Sequence, residues 1–492
     1  VYTESFTRPR TVYEALRAAA AKKPVVAIKG GTSAAGAKAA SSHTGALAGS
    51  AAAYSAAFAQ AGVVEVRSIG DFMATARALA LQPPAPGHRL CIVTNAGGPG
   101  VLSADAAERH GIRLAELSEE TRAKLDEVLP SVWSHGNPVD VIGDAGPERY
   151  RDALNILGRA PEVDGLVVIM TVQAMTAPME VARAIAEAHA DPSWSKPLLA
   201  SFLGMHGEVS GYLDARGVPE FVFPERAVQA MGALMRRGAR LRQRPVPPKP
   251  LPQHPRPDYE KVRACLAEAR AQGQQNLDLS LARVLLEAAG IRYNRSGTAA
   301  DEEEAVALAE SIGFPVVVKL VSPDVIHKSD VGGVVLDVVD AQGVREACRT
   351  IQEAVHAHRP EARITGYTIE EQVKGTEIIV GTSRDPGFGP LLMVGMGGVF
   401  VEVYKDVAFR LIPLTREDAR EMIGEIRAQP LLDGARGRPV LDRGELAELL
   451  LRVSELVGRF PEIRELDINP LVLTKEGLVA IDARVILEEA GA

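Results

Sequence analysis

The chain has 492 residues, 46% hydrophobic and 24% charged, enough to bury several cores and, at roughly 150 residues per domain, long enough for about three domains. Lys and Arg number 55 against 63 Asp and Glu, a net charge of −8, which argues against nucleic-acid binding by bulk electrostatics. No run of about 18 apolar residues is present to span a membrane. Three widely separated cysteines, Cys91, Cys265 and Cys348, make neither a disulfide framework nor a zinc site, so a reducing cytoplasm is the expected location.

The sequence opens on Val1, and VYTES reads as the end of a strand, so a preceding segment is expected. Short apolar runs then alternate with helical patterns. Strands are predicted at Val25–Lys29, Leu90–Thr94, Leu166–Thr171, Leu198–Phe202 and Phe221–Phe223, with helices between them, for example at Ala46–Ala61 and Met179–Ala190. Buried parallel strands alternating with helices indicate doubly wound α/β sheets. The stretch Leu81–Gly87 (LQPPAPG) reads as a short linker between two such units meeting near residue 85.

Between Pro245 and Pro257 there are seven prolines in thirteen residues, a composition that favours extended polyproline II geometry and a semi-rigid spacer. After it the rhythm changes. Helices at Leu281–Ala289 and Asp301–Ile312 precede Val316–Leu320, and strands follow at Val334–Val339, Tyr367–Val373, Glu377–Ser383 and Pro390–Gly395. Consecutive strands interrupted by helices indicate an α+β nucleotide-binding unit.

Three segments carry residues suited to chemistry. GTSAAGAKAASSHTGALAGS, Gly31 to Ser50, sets His43 among small residues just before an Ala-rich helix. A helix N-terminus stabilises an anion, so a histidine there could accept a phosphoryl group; the plainer reading is a packing histidine. PVVVKLVSPDVIHKSDVGGV, Pro315 to Val334, holds Lys319 on a strand and His327 in a polar loop with Asp330. This is either a phosphate-holding arrangement or an ordinary hairpin loop. In IRELDINPLVL and GLVAIDARV, Asp467 and Asn469 share a strand face, and an antiparallel partner would bring Asp482 to it. Those oxygens, with nucleotide phosphates and water, suit Mg2+; the alternative is turn chemistry at strand ends. TNAGGPG (Thr94–Gly100) is either a phosphate- or cofactor-binding loop or a tight βα turn, and NPVDVIGDA (Asn137–Ala145) either contacts substrate or connects elements.

Taken together these segments resemble the NDP-forming (ADP-forming) acyl-CoA synthetases, relatives of succinyl-CoA synthetase. SSHTGALAG is similar to that family's phosphohistidine segment, TNAGGPGVLSADA and NPVDVIGDA to its second CoA-ligase-type domain. KLVSPDVIHKSDVGGV, RDPGFGPLLMVGMGGVFVEVYKDVAFR and LDINPLV with AIDARV resemble its ATP-grasp part. The resemblance implies an α/β chain of two flavodoxin-like, doubly wound CoA-ligase-type domains (1–84 and 85–243), a proline-rich linker (244–257) and an α+β ATP-grasp domain (258–492). It implies that His43 is the catalytic nucleophile, that His327 relays phosphoryl groups to the nucleotide, and that Glu4 orients the phosphohistidine. Lys319 matches the ATP-grasp lysine, Glu371 and Val373 the adenine-contacting hinge, and Asn469 and Asp482 the Mg2+ ligands. The family's CoA-binding Rossmann domain and the first strands of its ligase domain have no counterpart in these residues, so either the sequence is a piece of a longer chain or a separate N-terminal CoA-binding segment is a partner.

The activity so implied is acid + CoA + ATP ⇌ acyl-CoA + ADP + phosphate, through an acyl phosphate and phosphohistidines, with Mg2+, ATP/ADP and coenzyme A as cofactors. The partners are a small carboxylic acid or its acyl-CoA, phosphate and an adenine nucleotide, with a homo-oligomer, a dimer, as the expected assembly and no nucleic acid or membrane. Two rivals follow from the same residues: a non-catalytic sensor module, which would not need both histidines, and an ATP-grasp ligase without phosphohistidine, which would leave SSHTGALAG without a role.

Overall fold

The computed structural model describes residues 1–33, 35–36, 38, 50–205, 207–242, 256–325, 331–398, 406–437 and 440–489. Its contacts divide the chain into two units, Val1–Pro245 and Val246–Ala492. The proline-rich stretch between them, apart from Arg256 and Pro257, and both His43 and His327 lie outside the described residues.

The first unit is built on two parallel sheets, as the buried apolar runs predicted. The smaller contains β1 (Tyr2–Thr3), β2 (Val26–Lys29) and β3 (Val64–Val66), in that order, with Thr3 beside Lys29 and Ile28 beside Val66. The larger comprises β4 (Arg89–Thr94), β5 (Arg113–Leu114), β6 (Val139–Asp140), β7 (Gly165–Thr171) and β8 (Leu198–Leu203) in the order β5-β4-β7-β8, with β6 also beside β4. Leu166 to Met170 of β7 are completely buried, as a parallel strand covered on both faces must be. Cys91 in β4 is likewise core, its thiol pushed up to about 12 by burial.

The strand predicted at Phe221–Phe223 does not form. Phe221 N–H donates to the Ala200 carbonyl at 2.8 Å, but Pro224 then opens a helix, and three residues squeezed against a helix start cannot extend a ladder. That helix, Pro224–Arg242, joins the two sheets. Met231, Leu234 and Met235 share one core with Val26 and Val64 of the small sheet and Ile92 and Val167 of the large one. Leu81–Gly87 is built into the same packing: Ala85 is fully buried, its N–H donates to the Leu234 carbonyl and its carbonyl accepts from Arg242. A side chain on Gly238 would place Cβ 1.9 Å from the Ala85 oxygen, so only glycine allows this approach.

The second unit is α+β with two lobes. In one, β9 (Ser296–Ala299), β10 (Val316–Val321), β11 (Val334–Val338) and β12 (Gly366–Glu371) form an antiparallel sheet, β11-β10-β12-β9, under helices Glu302–Ile312 and Ala341–His358. Asp301 caps the first of these helices, and Glu302, Glu303 and Glu304 fill its first turn, where the helix dipole favours acid. The other lobe holds β13 (Thr376–Asp385), β14 (Gly389–Met396), β15 (Val407–Leu411), β16 (Ile463–Thr474), β17 (Gly477–Ala480) and β18 (Ala483–Leu487), in the order β15-β14-β13-β16-β17 with β18 also on β16. Its core includes helices on either side of the first lobe in sequence, Leu279–Ala288 and Arg443–Arg459 among them. Residues 296–371 are therefore an insertion, and the chain crosses between lobes at 292–295 and again at 372–375.

Candidate active site

An open cleft of ≈ 500 Å3 lies between the two lobes of the second unit. Thr298, Val321 and Thr368 line it from one lobe, and Leu277, Ser280, Asp482 and Arg484 from the other. On the first lobe Lys319 of β10 stands opposite Thr368 of β12, and Thr368 opposite Thr298 of β9. Directly paired residues of antiparallel strands share a face, so the lysine and the two hydroxyls form one row. Lys319 Nζ donates to Glu370 Oε2 at 2.7 Å. The carboxylate is nearly inaccessible while a quarter of the lysine side chain remains exposed, which leaves donors for an anionic ligand. Sequence reasoning missed Glu370 as the lysine's partner, although Thr368 and Glu370 stand two apart in YTIEE, the spacing that sets them on one side of a strand.

On the facing lobe, β16 and β18 run antiparallel with Asp467 opposite Arg484. Two residues on, Asn469 N–H donates to the Asp482 carbonyl at 3.0 Å, so Asn469, Asp482 and Asp467 do meet on one face, as the period-two pattern required. Asn469 and Asp482 are exposed. Burial raises the Asp467 carboxyl above its usual range, and the neighbouring Asp482 charge raises it further, with Arg484 opposing. Tyr293, at the first crossing, has its phenol raised by burial and then by Asp482 and Glu370, which sets it among the acids of both lobes.

The donor set fits Mg2+. Asp482 offers one carboxylate and Asn469 one amide oxygen, both exposed and both hard ligands of the kind Mg2+ takes, with Arg484 as the neighbouring cation. Among the described residues no group of three or more His, Cys, Asp or Glu forms an all-protein cage, so phosphate oxygens and water would complete the shell, the habit of Mg2+.

Of the expected hinge residues, Glu371 turns its carboxylate to Arg295, which donates to it at 3.1 and 3.3 Å and holds it below the usual carboxylate range. The Glu371 side chain is therefore paired within the protein, which leaves the backbone of this residue to meet a ligand. Glu371 N–H donates to the Arg295 carbonyl at 2.7 Å, and its own carbonyl accepts a longer bond, 3.3 Å, from Asn294.

Glu4 belongs to the first unit, at the C-terminal ends of β1 and β2, the edge where parallel α/β sheets place their ligands. Glu4 Oε1 accepts from the Tyr2 hydroxyl at 2.9 Å. Beside it, Lys29 is 7% exposed, lies 4.8 Å over the Tyr54 ring, and has its pKa lowered by burial against the pull of Glu4. Gly30 N–H donates to the Thr3 carbonyl at 2.8 Å, and Ser50 caps the helix Ala51–Ala61 through Ala53 N–H. The stretch carrying His43 thus leaves this edge at Gly30 and is followed by that capped helix. Nothing in the sequence singled out Lys29, which continues an apolar strand. At the start of NPVDVIGDA (Asn137–Ala145), the Asn137 side chain accepts from Ile92 N–H and donates to the Leu90 and Ala115 carbonyls, a core contact.

Family models match the chain in order: a succinyl-CoA ligase like flavodoxin domain over residues 1–79, a Ligase-CoA domain over 90–243 and an ATP-grasp domain over 268–487. The chain is 41% identical over 494 residues to the acetate--CoA ligase [ADP-forming] I of Archaeoglobus fulgidus, covering 99% of this chain and 70% of that protein. It is 37% identical over 459 residues to the 4-hydroxybutyrate--CoA ligase [ADP-forming] of Nitrosopumilus maritimus, covering 93% and 65%. The acetate--CoA ligase [ADP-forming] I subunit beta of Pyrococcus furiosus is 44% identical over 228 residues, 46% of this chain and 98% of that subunit. The chain thus spans about two thirds of the length of the first two relatives.

Proposed function

The chain belongs to the ADP-forming acyl-CoA synthetases, and we propose that it carries their phosphoryl-transfer machinery, interconverting acid + CoA + ATP with acyl-CoA + ADP + phosphate. The observation that carries this reading is the cleft lined by Thr368 and Thr298 on one lobe and Asp482 on the other: strand register adds Lys319, with its buried Glu370, to the first row, and Asn469 is bonded through its backbone to Asp482. A lysine with donors to spare in the row on one lobe, and an amide and a carboxylate on the other, suit a polyphosphate and a hard cation. Mg2+, held by Asn469 and Asp482, would neutralise charge on the phosphates.

In the synthetic direction an imidazole nitrogen of His327 attacks the γ-phosphorus; the N–P bond forms as the bond to ADP breaks. His327 passes the group to His43, and the substrate carboxylate takes it from there as an acyl phosphate, whose carbonyl the CoA thiolate then attacks with release of phosphate. Phosphorylation is needed because a carboxylate oxygen is a poor leaving group, and neutral imidazole is a nucleophile near pH 7 that gives its phosphoryl group up again. Glu4 orients His43; its position at the sheet edge where residues 31–50 begin supports that role. Glu371 and Val373 contribute the adenine contacts through their backbones.

The same reading retains a domain division at 1–84, 85–243, a 244–257 linker and 258–492. CoA is bound by a separate segment and the assembly is a homodimer. It works in a reducing cytoplasm, supported by three free, buried cysteines; no helix among the described residues is long and apolar enough to cross a membrane. The test is labelling with γ-32P-ATP, with acid-labile, base-stable label on His327 and His43 as the expected result and unlabelled, ATP-binding protein as the contrary one.

A further inference from the structure

The two crossings between the lobes lie side by side, joined by the bonds of Asn294 and Arg295 to Glu371. The second crossing is also fastened from another side, by a residue that the reaction above does not use. In β11 Val338 faces Val316 and Val335 faces Val318, so Leu336 and Asp337 together oppose Val317: a bulge, with one residue extra. Asp337 takes a φ of 58°, the left-handed region that Asp tolerates better than most side chains. From there its N–H donates to Gln372 Oε1 at 2.8 Å, while its Oδ1 accepts from Gln372 Nε2 at 3.1 Å and from Lys374 Nζ at 2.5 Å.

These groups are exposed, and exposed ion pairs add little to fold stability. What the latch fixes is the backbone between Glu371 and Gly375. Gln372 N–H is bonded to the Pro315 carbonyl at 3.1 Å, and a Cβ on Gly375 would fall 1.9 Å from the Leu473 oxygen, so the far end is packed straight onto β16. Among the described residues nothing accepts the Val373 N–H. A donor at 373 and an acceptor at 371 match the amino and ring-nitrogen edge of adenine, and oppose the reversed edge of guanine.

We propose that Asp337 is a positioning residue for the adenine nucleotide: by latching Gln372 and Lys374 it holds 372–374 in one backbone conformation before the ligand arrives. Ordering done in advance is not charged against binding. This rests on the nucleotide-site reading of the cleft.

The experiment is equilibrium binding of ADP and of GDP to the full chain, with circular dichroism and thermal unfolding alongside. Asp337→Ala should weaken ADP about tenfold and narrow the ADP-to-GDP preference with little change in unfolding temperature. Asp337→Asn, which keeps the left-handed tolerance and the exchange with Gln372, should recover most of the affinity. ADP affinity within twofold of wild type in folded Asp337→Ala overturns the latch alone. So does a loss of stability and affinity together at an unchanged ADP-to-GDP ratio. A wild type that binds no adenine nucleotide overturns the nucleotide-site reading, and the latch with it.

Discussion

Replacing Lys319 by Met separates what the lysine does for the fold from what it does for the ligand. Glu370 is 7% exposed and its carboxylate is 2.7 Å from Lys319 Nζ, so the variant leaves a buried carboxylate without its cation. Removing one partner of a buried pair costs about 3–5 kcal/mol; because a quarter of the lysine side chain is exposed, solvent relieves part of this, leaving roughly 2–3 kcal/mol. For a unit of about 250 residues that is a fall of roughly 5–10 °C in unfolding temperature. Adding Glu370→Gln removes the stranded charge, so the double variant should regain most of the loss. Nucleotide binding should stay absent in both. Thermal unfolding and ADP titration of wild type, both single variants and the double variant close the cycle. An unchanged unfolding temperature in Lys319→Met would refute the buried pair, and ADP binding in the double variant would refute the lysine as a phosphate holder.

Two further outcomes can be checked on the same material. Asp482→Asn should leave the ligand-free protein no less stable, because it removes the like charge beside Asp467, yet it should abolish the stabilisation that Mg2+ with ADP gives wild type. That stabilisation is about 2.7 kcal/mol at a hundredfold excess over Kd, read by thermal shift with and without Mg2+. In the first unit burial works against ionisation of Glu162, but the Ser118 N–H and the Thr121 and Ser118 hydroxyls outweigh it and hold the carboxyl at about 2. A pKa depressed in the folded state gives stability that is present above about pH 4.5 and lost as pH falls toward 2. Glu162→Gln should therefore cost about 1 kcal/mol near neutral pH, discounted for solvent access, with the gap to wild type narrowing below pH 4.5 in urea unfolding.

Much of this architecture is legible in the residues because burial leaves a plain pattern. Leu166–Met170 has no polar residue to spare for solvent and is a strand covered on both faces. Asp467 and Asn469, two apart, had to share a face, and only the register of β18 was needed to add Asp482. The failures have equally local causes. Phe221–Phe223 has strand composition, but Pro224 starts a helix before a ladder can form. Leu81–Gly87 has linker composition, yet Ala85 is locked under Pro224–Arg242 by its bond to Arg242, 157 residues away in sequence, at an approach that only a glycine at 238 permits. Glu370 and Glu371 are adjacent and chemically identical. Which one meets Lys319 and which one Arg295 follows from strand alternation once the cleft face is known, and the sequence does not say which face that is. Asn137 shows the same limit: a polar side chain can be a core plug when three backbone groups converge on it.

Two histidines are proposed to carry phosphoryl groups between a nucleotide cleft and a carboxylic acid. The most direct test is incubation of wild type, His43→Ala and His327→Ala with γ-32P-ATP and Mg2+, followed by acid and base treatment. A two-histidine relay gives acid-labile, base-stable label in wild type, its loss in His327→Ala, and partial label retained on His327 in His43→Ala. Full labelling of His327→Ala, or no label on wild type that binds ATP with its CoA-binding segment supplied, would contradict it.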